Sequence, residues 1–99
     1  MQHIKNLIIS ELDSAREKFP PNHSPHEGYA VLLEEIEELQ EDLKSLQDHN
    51  QYLWNAVKKN LHVAQGVEIN KMKKTIILLI KEAIQVGAMI EKYEQDLLT

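Results

Sequence analysis

The sequence contains no cysteine and little glycine, proline or aromatic residue. The lack of cysteine excludes disulfide bonds and thiol chemistry. Three glycines, three prolines and 5% aromatic residues in a chain of 99 residues leave few turn signals and few of the side chains that favour strands. The composition therefore predicts an all-α fold, and the length predicts a single domain covering residues 1–99.

A long apolar run and an excess of basic charge are also missing. The longest apolar stretch, residues 76–90, is shorter than the ~20 residues that cross a bilayer, and Lys81 and Glu82 interrupt it. The first residues alternate apolar and charged side chains at a helical period, which predicts a helix and not a signal peptide. The sequence has 16 acidic and 11 basic residues, and the resulting net charge of -5 repels phosphate backbones. We expect no membrane partner, no nucleic-acid partner and, by default, a cytoplasmic protein.

Apolar residues recur at steps of three and four positions, the period of helices with one apolar face. Pro20 and Pro21 end the first such segment, and Ser24, Pro25 and Glu27 form a strong start signal for the second. Asn50 and Asn70 are candidate caps for two further helices. The prediction is a small bundle of about four helices, covering residues 4–19, 25–47, 51–64 and 70–98.

The predicted last helix is apolar on almost every side between Ile76 and Ile90. Such a helix should be buried on several sides, and a chain this short cannot bury it alone. The sequence therefore predicts a four-helix-bundle-like core completed by dimerisation.

Acidic side chains interrupt two of the apolar segments. The leucine stripe of the second helix consists of Leu32, Ile36, Leu39, Leu43 and Leu46. Measured from the centre of that stripe, Glu35 lies about 60° and Glu38 about 120° away, so both flank the core, whereas Glu37 and Glu41 face solvent. Glu82 lies inside the most apolar segment. Carboxylates beside a core need a cation, a proton or a basic partner. A divalent-metal site and a salt bridge to a lysine of a neighbouring helix both satisfy that need.

Two longer segments favour the metal site. The stretch HEGYAVLLEEIEELQEDL, followed by KEAIQVGAMIEKYEQDL, resembles the MazG-like all-α nucleoside triphosphate pyrophosphohydrolases, in particular their short phage and bacterial variants. Residues 24 to 98 carry the resemblance. The family motif Glu-Glu-x-x-Glu is matched by Glu34, Glu35 and Glu38. Its second motif, Glu-x-x-Asp, is matched by Glu82 but not by Gln85, which stands where the family has Asp.

The resemblance implies a helical bundle assembled as a homodimer or dimer of dimers. It also implies hydrolysis of a nucleoside triphosphate to the monophosphate and pyrophosphate, with Mg²⁺ or Mn²⁺ as the cofactor. Glu35, Glu38 and Glu82 would be metal ligands, and Gln85 would offer a neutral oxygen in the same site. Glu34 and Glu35 are the expected catalytic carboxylates, with Glu34 also able to orient a water as base.

The uncharged Gln85 supports a second function, because it removes one negative charge from the site. In that alternative the chain is a catalytically silent helical dimer that acts as a binding or structural module. The candidate contacts for substrate phosphate are Lys58, Lys81 and His26. His26 lies at the start of a helix, where free backbone N–H groups favour anions.

Overall fold

The structure is a computed structural model that describes all of residues 1–99, and it contains three helices and no strand. Helix α1 is Gln2–Lys18, α2 is Pro25–Lys58 and α3 is His62–Leu97. The all-α prediction is confirmed. The predicted count of about four helices is wrong, because the predicted second and third helices form one continuous α2.

The start of α2 and the end of α1 follow their sequence signals. The Ser24 hydroxyl accepts a hydrogen bond from the Glu27 N–H at 3.2 Å, and the Glu27 carboxylate accepts one from the His23 N–H at 3.4 Å. The bond to Ser24 satisfies one of the N–H groups that the first turn of α2 leaves free, and the bond from His23 ties the preceding residue to that turn. Phe19 has extended backbone and terminates α1, as the two prolines after it predict.

The predicted break near residues 47–50 is absent, and the chain turns at residues 59–61 instead. Residues 47–50 contain neither proline nor glycine, so nothing in the backbone stops the helix there and Asn50 does not act as a cap. Asn60 ends α2 instead, in the left-handed conformation with a φ of 55°. Its N–H bonds to the Val57 carbonyl, and the Leu61 N–H bonds to the Ala56 carbonyl. This is the pairing of a Schellman motif, in which asparagine is the commonest substitute for glycine.

Helix α3 starts at His62, eight residues before the predicted start at Asn70. Gly66, which follows the predicted end of the third helix at residue 64, lies inside α3. A Cβ atom at Gly66 would meet nothing within 4 Å. Gly66 therefore fits the helix without being required by it.

Gly66→Ala should raise the free energy of unfolding by about 0.5–1 kcal/mol, because alanine loses less backbone entropy than glycine on entering a helix. Gly28→Ala is the contrasting variant. A Cβ at Gly28 would lie 2.5 Å from Cδ2 of Tyr93, so we expect that variant to be destabilised. Urea denaturation of both variants measures the difference. Equal effects at the two glycines would contradict the close packing of Gly28 against Tyr93.

Helices α2 and α3 form a long antiparallel hairpin, with Glu35 beside Glu82 and His49 beside Glu68. Every third or fourth residue of α2 faces α3, and these residues form the seam between the two helices. Helix α1 runs parallel to α3 along its C-terminal half. Ile8 packs against Gly87, and Arg16 pairs with Asp96 at 2.9 Å.

A polar cluster fastens the α1–α2 loop to the end of α3. The Asp96 carboxylate accepts from the Asn22 N–H at 2.8 Å and pairs with Arg16 and Lys92 at 2.9 and 3.2 Å. The Lys92 ammonium also donates to the Pro20 carbonyl at 2.9 Å. The Lys92 and Asp96 side chains are 5% and 6% exposed, so both depend on these partners. The bonds from Asn22 and Arg16 lower the pKa of Asp96, although burial opposes them.

The core of the single chain is thin. Only eight of 99 residues are buried, and no large side chain is fully buried. The expectation that residues 76–90 are buried on several sides is not met within one chain, since Ile77 is 66% exposed and Ile80 is 52% exposed. Only α1 and α2 are available to cover α3, and each covers one side. None of the helices combines the length and the apolar character needed to cross a membrane.

Candidate metal centre

Three glutamates converge between α2 and α3. Glu35 and Glu38 lie one turn apart on α2, and Glu82 faces them from α3. One carboxylate oxygen of each lies within 4.8 Å of the others. The antiparallel hairpin brings them together, because Glu35 occupies a position of α2 that faces α3 and the seam pairs it with Glu82. Oxygen ligands at such separations suit a hard divalent cation.

No basic side chain neutralises this cluster. The ion pairs of the structure involve other carboxylates: those of Asp48, Glu68 and Asp96. The sequence left open whether a lysine of a neighbouring helix would pair with Glu82, and no such pair is present. The Oε2 atom of Glu35 is buried and has no hydrogen-bond partner. A buried acceptor without a donor loses its hydration without replacement, and a cation would supply what it lacks.

The electrostatics of the cluster agree with this geometry. Burial raises the pKa of Glu35, and the charges of Glu38, Glu34 and Glu11 raise that pKa further. Burial also raises the pKa of Glu82, and the charges of Glu38 and Glu35 raise it further. The charges of the neighbouring acids therefore oppose the ionisation of Glu35 and Glu82. A bound divalent cation would reverse that effect, because the opposite charge favours the ionised form.

Gln85 lies one turn beyond Glu82 on the same face of α3. With its amide nitrogen toward Glu82, it donates to Oε1 at 3.1 Å and to Oε2 at 3.2 Å. The opposite orientation would place the amide oxygen against two carboxylate oxygens, so the nitrogen faces Glu82. Gln85 is thus part of the cluster, and it is the one neutral side chain there.

Glu34 is exposed and lines a cavity of about 340 Å³ together with Glu35. A second cavity, of about 210 Å³, contains Glu35 and Gln85. Both cavities share Phe19 and Met89, and they open beside the acidic cluster. Their other polar lining groups come from α1, the following loop, the start of α2 and α3, and are Glu11, Ser14, Lys18, Asn22, Glu27 and Lys92.

Several of these lining residues were not among the residues predicted from the sequence. Lys18, Phe19 and Asn22 belong to the end of α1 and its loop, whose position depends on the long-range contacts of Arg16 and Asp96. No local pattern identifies such contacts. The proximity of Phe19 to two prolines was the one available signal, and it indicated a helix end and not a cavity.

The three predicted phosphate contacts are not brought together at the cluster. Lys58 lies 20 residues beyond Glu38 on α2, about 30 Å along a helix, and its ammonium stands over the Trp54 ring. Lys81 is exposed and lines a groove between α1 and α3. His26 is exposed in the first turn of α2, about 14 Å along the helix from Glu35. Within one chain, Lys58 is too far away to contact a phosphate held at the glutamates.

The prediction that Glu37 and Glu41 face solvent is confirmed, since both are exposed. Asp42, on the same helix, contributes to the raised pKa of Glu82.

Comparison with protein-family models, with curated proteins and with solved structures gives no match for this chain. The resemblance to the MazG-like enzymes therefore rests on the two acidic motifs and the residues around them.

Proposed function

We propose that this protein hydrolyses a nucleoside triphosphate to the monophosphate and pyrophosphate, with Mg²⁺ or Mn²⁺ held by Glu35, Glu38 and Glu82. The observation that carries the proposal is the convergence of three carboxylates from two helices within 4.8 Å, with no basic partner. The unpaired Oε2 of Glu35 supports it, because that atom needs a positive or donating partner. The two sequence motifs provide the reaction class.

The residues of the cluster would act in separate roles. When bound, the divalent cation neutralises the triphosphate and makes a coordinated water more acidic. Glu34 would accept a proton from the water that attacks the α-phosphorus, since it lines the same cavity as Glu35. As the new P–O bond forms, the bond from the α-phosphorus to the bridging oxygen breaks. Pyrophosphate then leaves with the electron pair of that bond.

Product analysis tests this reaction directly. The purified chain would be incubated with each of a panel of nucleoside triphosphates, with Mg²⁺, with Mn²⁺ and with a chelator. We expect equal amounts of monophosphate and pyrophosphate only when a cation is present. Formation of a nucleoside diphosphate and inorganic phosphate would indicate attack at the γ-phosphorus and contradict the proposal. Cation binding without hydrolysis of any nucleotide would favour the silent binding module, for which the uncharged Gln85 is the specific observation.

We also propose that the chain assembles as a homodimer, on its own or within a dimer of dimers. The radius of gyration is 17.6 Å, whereas a compact chain of this length has about 13 Å. Ile36 and Leu43 belong to the predicted leucine stripe but lie outside the seam with α3, and they are 37% and 45% exposed. Together with Trp54 and Val57 they form a second, largely apolar stripe along α2, in which Ile36, Leu43 and Val57 share one heptad position with the polar Asn50. A second copy would cover that stripe and complete a four-helix core.

Leu43→Glu should dissociate this dimer, because it places a charge in the middle of the stripe at a position that a partner helix would cover. We expect the molar mass measured by light scattering at micromolar concentration to fall from that of two chains to that of one. Val63→Glu is the control, since Val63 is 84% exposed in the first turn of α3 and lies outside the stripe. A monomeric wild-type protein at that concentration would refute the proposed assembly.

A further inference from the structure

The position of Gln85 assigns it a role different from that of a ligand. Its amide nitrogen lies almost equally far from the two oxygens of Glu82, at 3.1 and 3.2 Å. A cation bound by both oxygens of a carboxylate occupies the same side of that group. The amide of Gln85 therefore stands where a cation would approach Glu82 from this side.

The chemistry of the surrounding groups explains why an amide is useful at this position. The groups that act on Glu82 from α2 are Glu35, Glu38 and Asp42, whose charges all disfavour its ionised form, and Glu38 also shares a hydrogen bond with it. No lysine, arginine or histidine forms an ion pair with Glu82. The amide of Gln85 thus supplies a donor to Glu82 from its own helix. An aspartate in its place would add another repelling charge.

We propose that Gln85 is a positioning residue that holds the Glu82 carboxylate in the cation-free protein, and that a divalent cation must displace its amide in order to bind. The inference rests on the proposed metal-dependent function. It predicts that the stability of the cation-free fold and the affinity for the cation change in opposite directions when this hydrogen bond is removed. The hydrogen bond stabilises the cation-free fold, and the same bond weakens the affinity for the cation.

Gln85→Met tests both properties. Methionine is unbranched, suits a helix and has a similar length, but it has no N–H to donate. We expect the melting temperature of the cation-free protein to fall by about 4–8 °C, as the loss of one hydrogen bond implies. We expect the affinity for Mn²⁺, measured by calorimetry without nucleotide, to rise by about threefold to tenfold. Gln51→Met is the control, since Gln51 is exposed on α2 away from the glutamates and its amide donates only one exposed hydrogen bond, to the Asn55 side chain. It should leave the affinity for Mn²⁺ unchanged and should lower the melting temperature much less than Gln85→Met does.

Gln85→Glu provides a second test that keeps the shape of the side chain. It exchanges the donor for a fourth carboxylate, so the cation-free melting temperature should fall further than in Gln85→Met. The affinity for Mn²⁺ should rise more, because the site gains a negative charge. This variant also keeps the inference testable if Gln85→Met folds poorly.

Each contrary result has a distinct meaning. Weaker Mn²⁺ binding in Gln85→Met overturns the inference, because an oxygen ligand or a donor that orients Glu82 in the bound state would have that effect. An unchanged melting temperature without cation also overturns it, since the hydrogen bond would then contribute nothing. If the wild-type protein binds no Mn²⁺, the proposed function fails first and the inference fails with it.

Discussion

Glu82→Gln should lower the rate of pyrophosphate release by about 100-fold or more, since it removes the one charged ligand that we propose for α3, and a metal contributes several kcal/mol to such a reaction. The same substitution should raise the melting temperature of the cation-free protein. Burial and the charges of Glu38 and Glu35 raise the pKa of Glu82, so its ionised form is unfavourable in the folded chain. Removing that charge removes the repulsion.

The pH dependence follows from the sign of these shifts. A carboxylate whose pKa is raised in the folded state destabilises the fold once it ionises, and the penalty disappears as the pH falls through the raised pKa. Both Glu35 and Glu82 have raised pKa values. We therefore expect the cation-free wild-type protein to gain stability from these two groups as the pH falls from neutral into the range of the raised pKa values. Glu82→Gln should show a smaller gain.

Glu41→Gln is the matched control for these measurements, since Glu41 is an exposed carboxylate on α2 outside the cluster. It should change neither the rate nor the cation-free melting temperature by a comparable amount. A Glu82→Gln variant that retains the wild-type rate would show that hydrolysis does not use this cluster. A variant that is inactive but also less stable would contradict the electrostatic description, because repulsion among the three glutamates would not then be the dominant effect.

Asp96→Asn should lower the free energy of unfolding by about 2–3 kcal/mol at neutral pH. The substitution leaves the Lys92 ammonium, whose side chain is 5% exposed, without a carboxylate, and it also removes the partner of Arg16. Breaking a buried ion pair from one side costs about 3–5 kcal/mol, and solvent near the chain end reduces that cost. Because Asn22 and Pro20 belong to the same cluster, the α1–α2 loop should lose its position beside the cavities.

The Asp96 carboxylate should stabilise the wild-type fold at neutral pH, whereas the Glu82 carboxylate should destabilise it. The two substitutions should therefore change the free energy of unfolding with opposite signs at neutral pH. The pKa of Asp96 is lowered in the folded state by the bonds from Asn22, Arg16 and Lys92. A group of this kind stabilises the fold above its unfolded pKa, about 3.9, and loses that contribution as the pH falls through its folded pKa. Urea denaturation at about pH 7 and about pH 2.5 should therefore give a larger difference between wild type and variant at the first pH than at the second.

Asp13→Asn is the control, since Asp13 is exposed on α1 and forms no ion pair. A difference between wild type and Asp96→Asn that is the same at both pH values would mean that the loss comes from packing and not from charge. That result would contradict an electrostatic role for Asp96 in fastening the α1–α2 loop.

Local sequence signals were enough to predict the helical class, the end of α1 at Phe19 and the start of α2 at Ser24. They also predicted the side of α2 on which Glu35 and Glu38 lie. These features follow from local chemistry: two prolines stop a helix, a capping serine starts one, and side chains three or four residues apart share a face. The sequence also identified Glu82 as a charge without an obvious partner. Its four candidate cation ligands prove to be neighbours in the structure.

The tertiary structure decided the rest. The register between α2 and α3 brings Glu82 to Glu35 and orients Gln85 as a donor, and register depends on contacts between residues almost fifty positions apart. Helix α2 continues without a break to Lys58, so Lys58 lies far from the cluster. The helix ends only where Asn60 adopts the left-handed conformation. The cavities beside Glu35 depend on a loop held by Asp96 from the far end of the chain. Local patterns determine which helices form, whereas long-range packing determines which of their side chains meet.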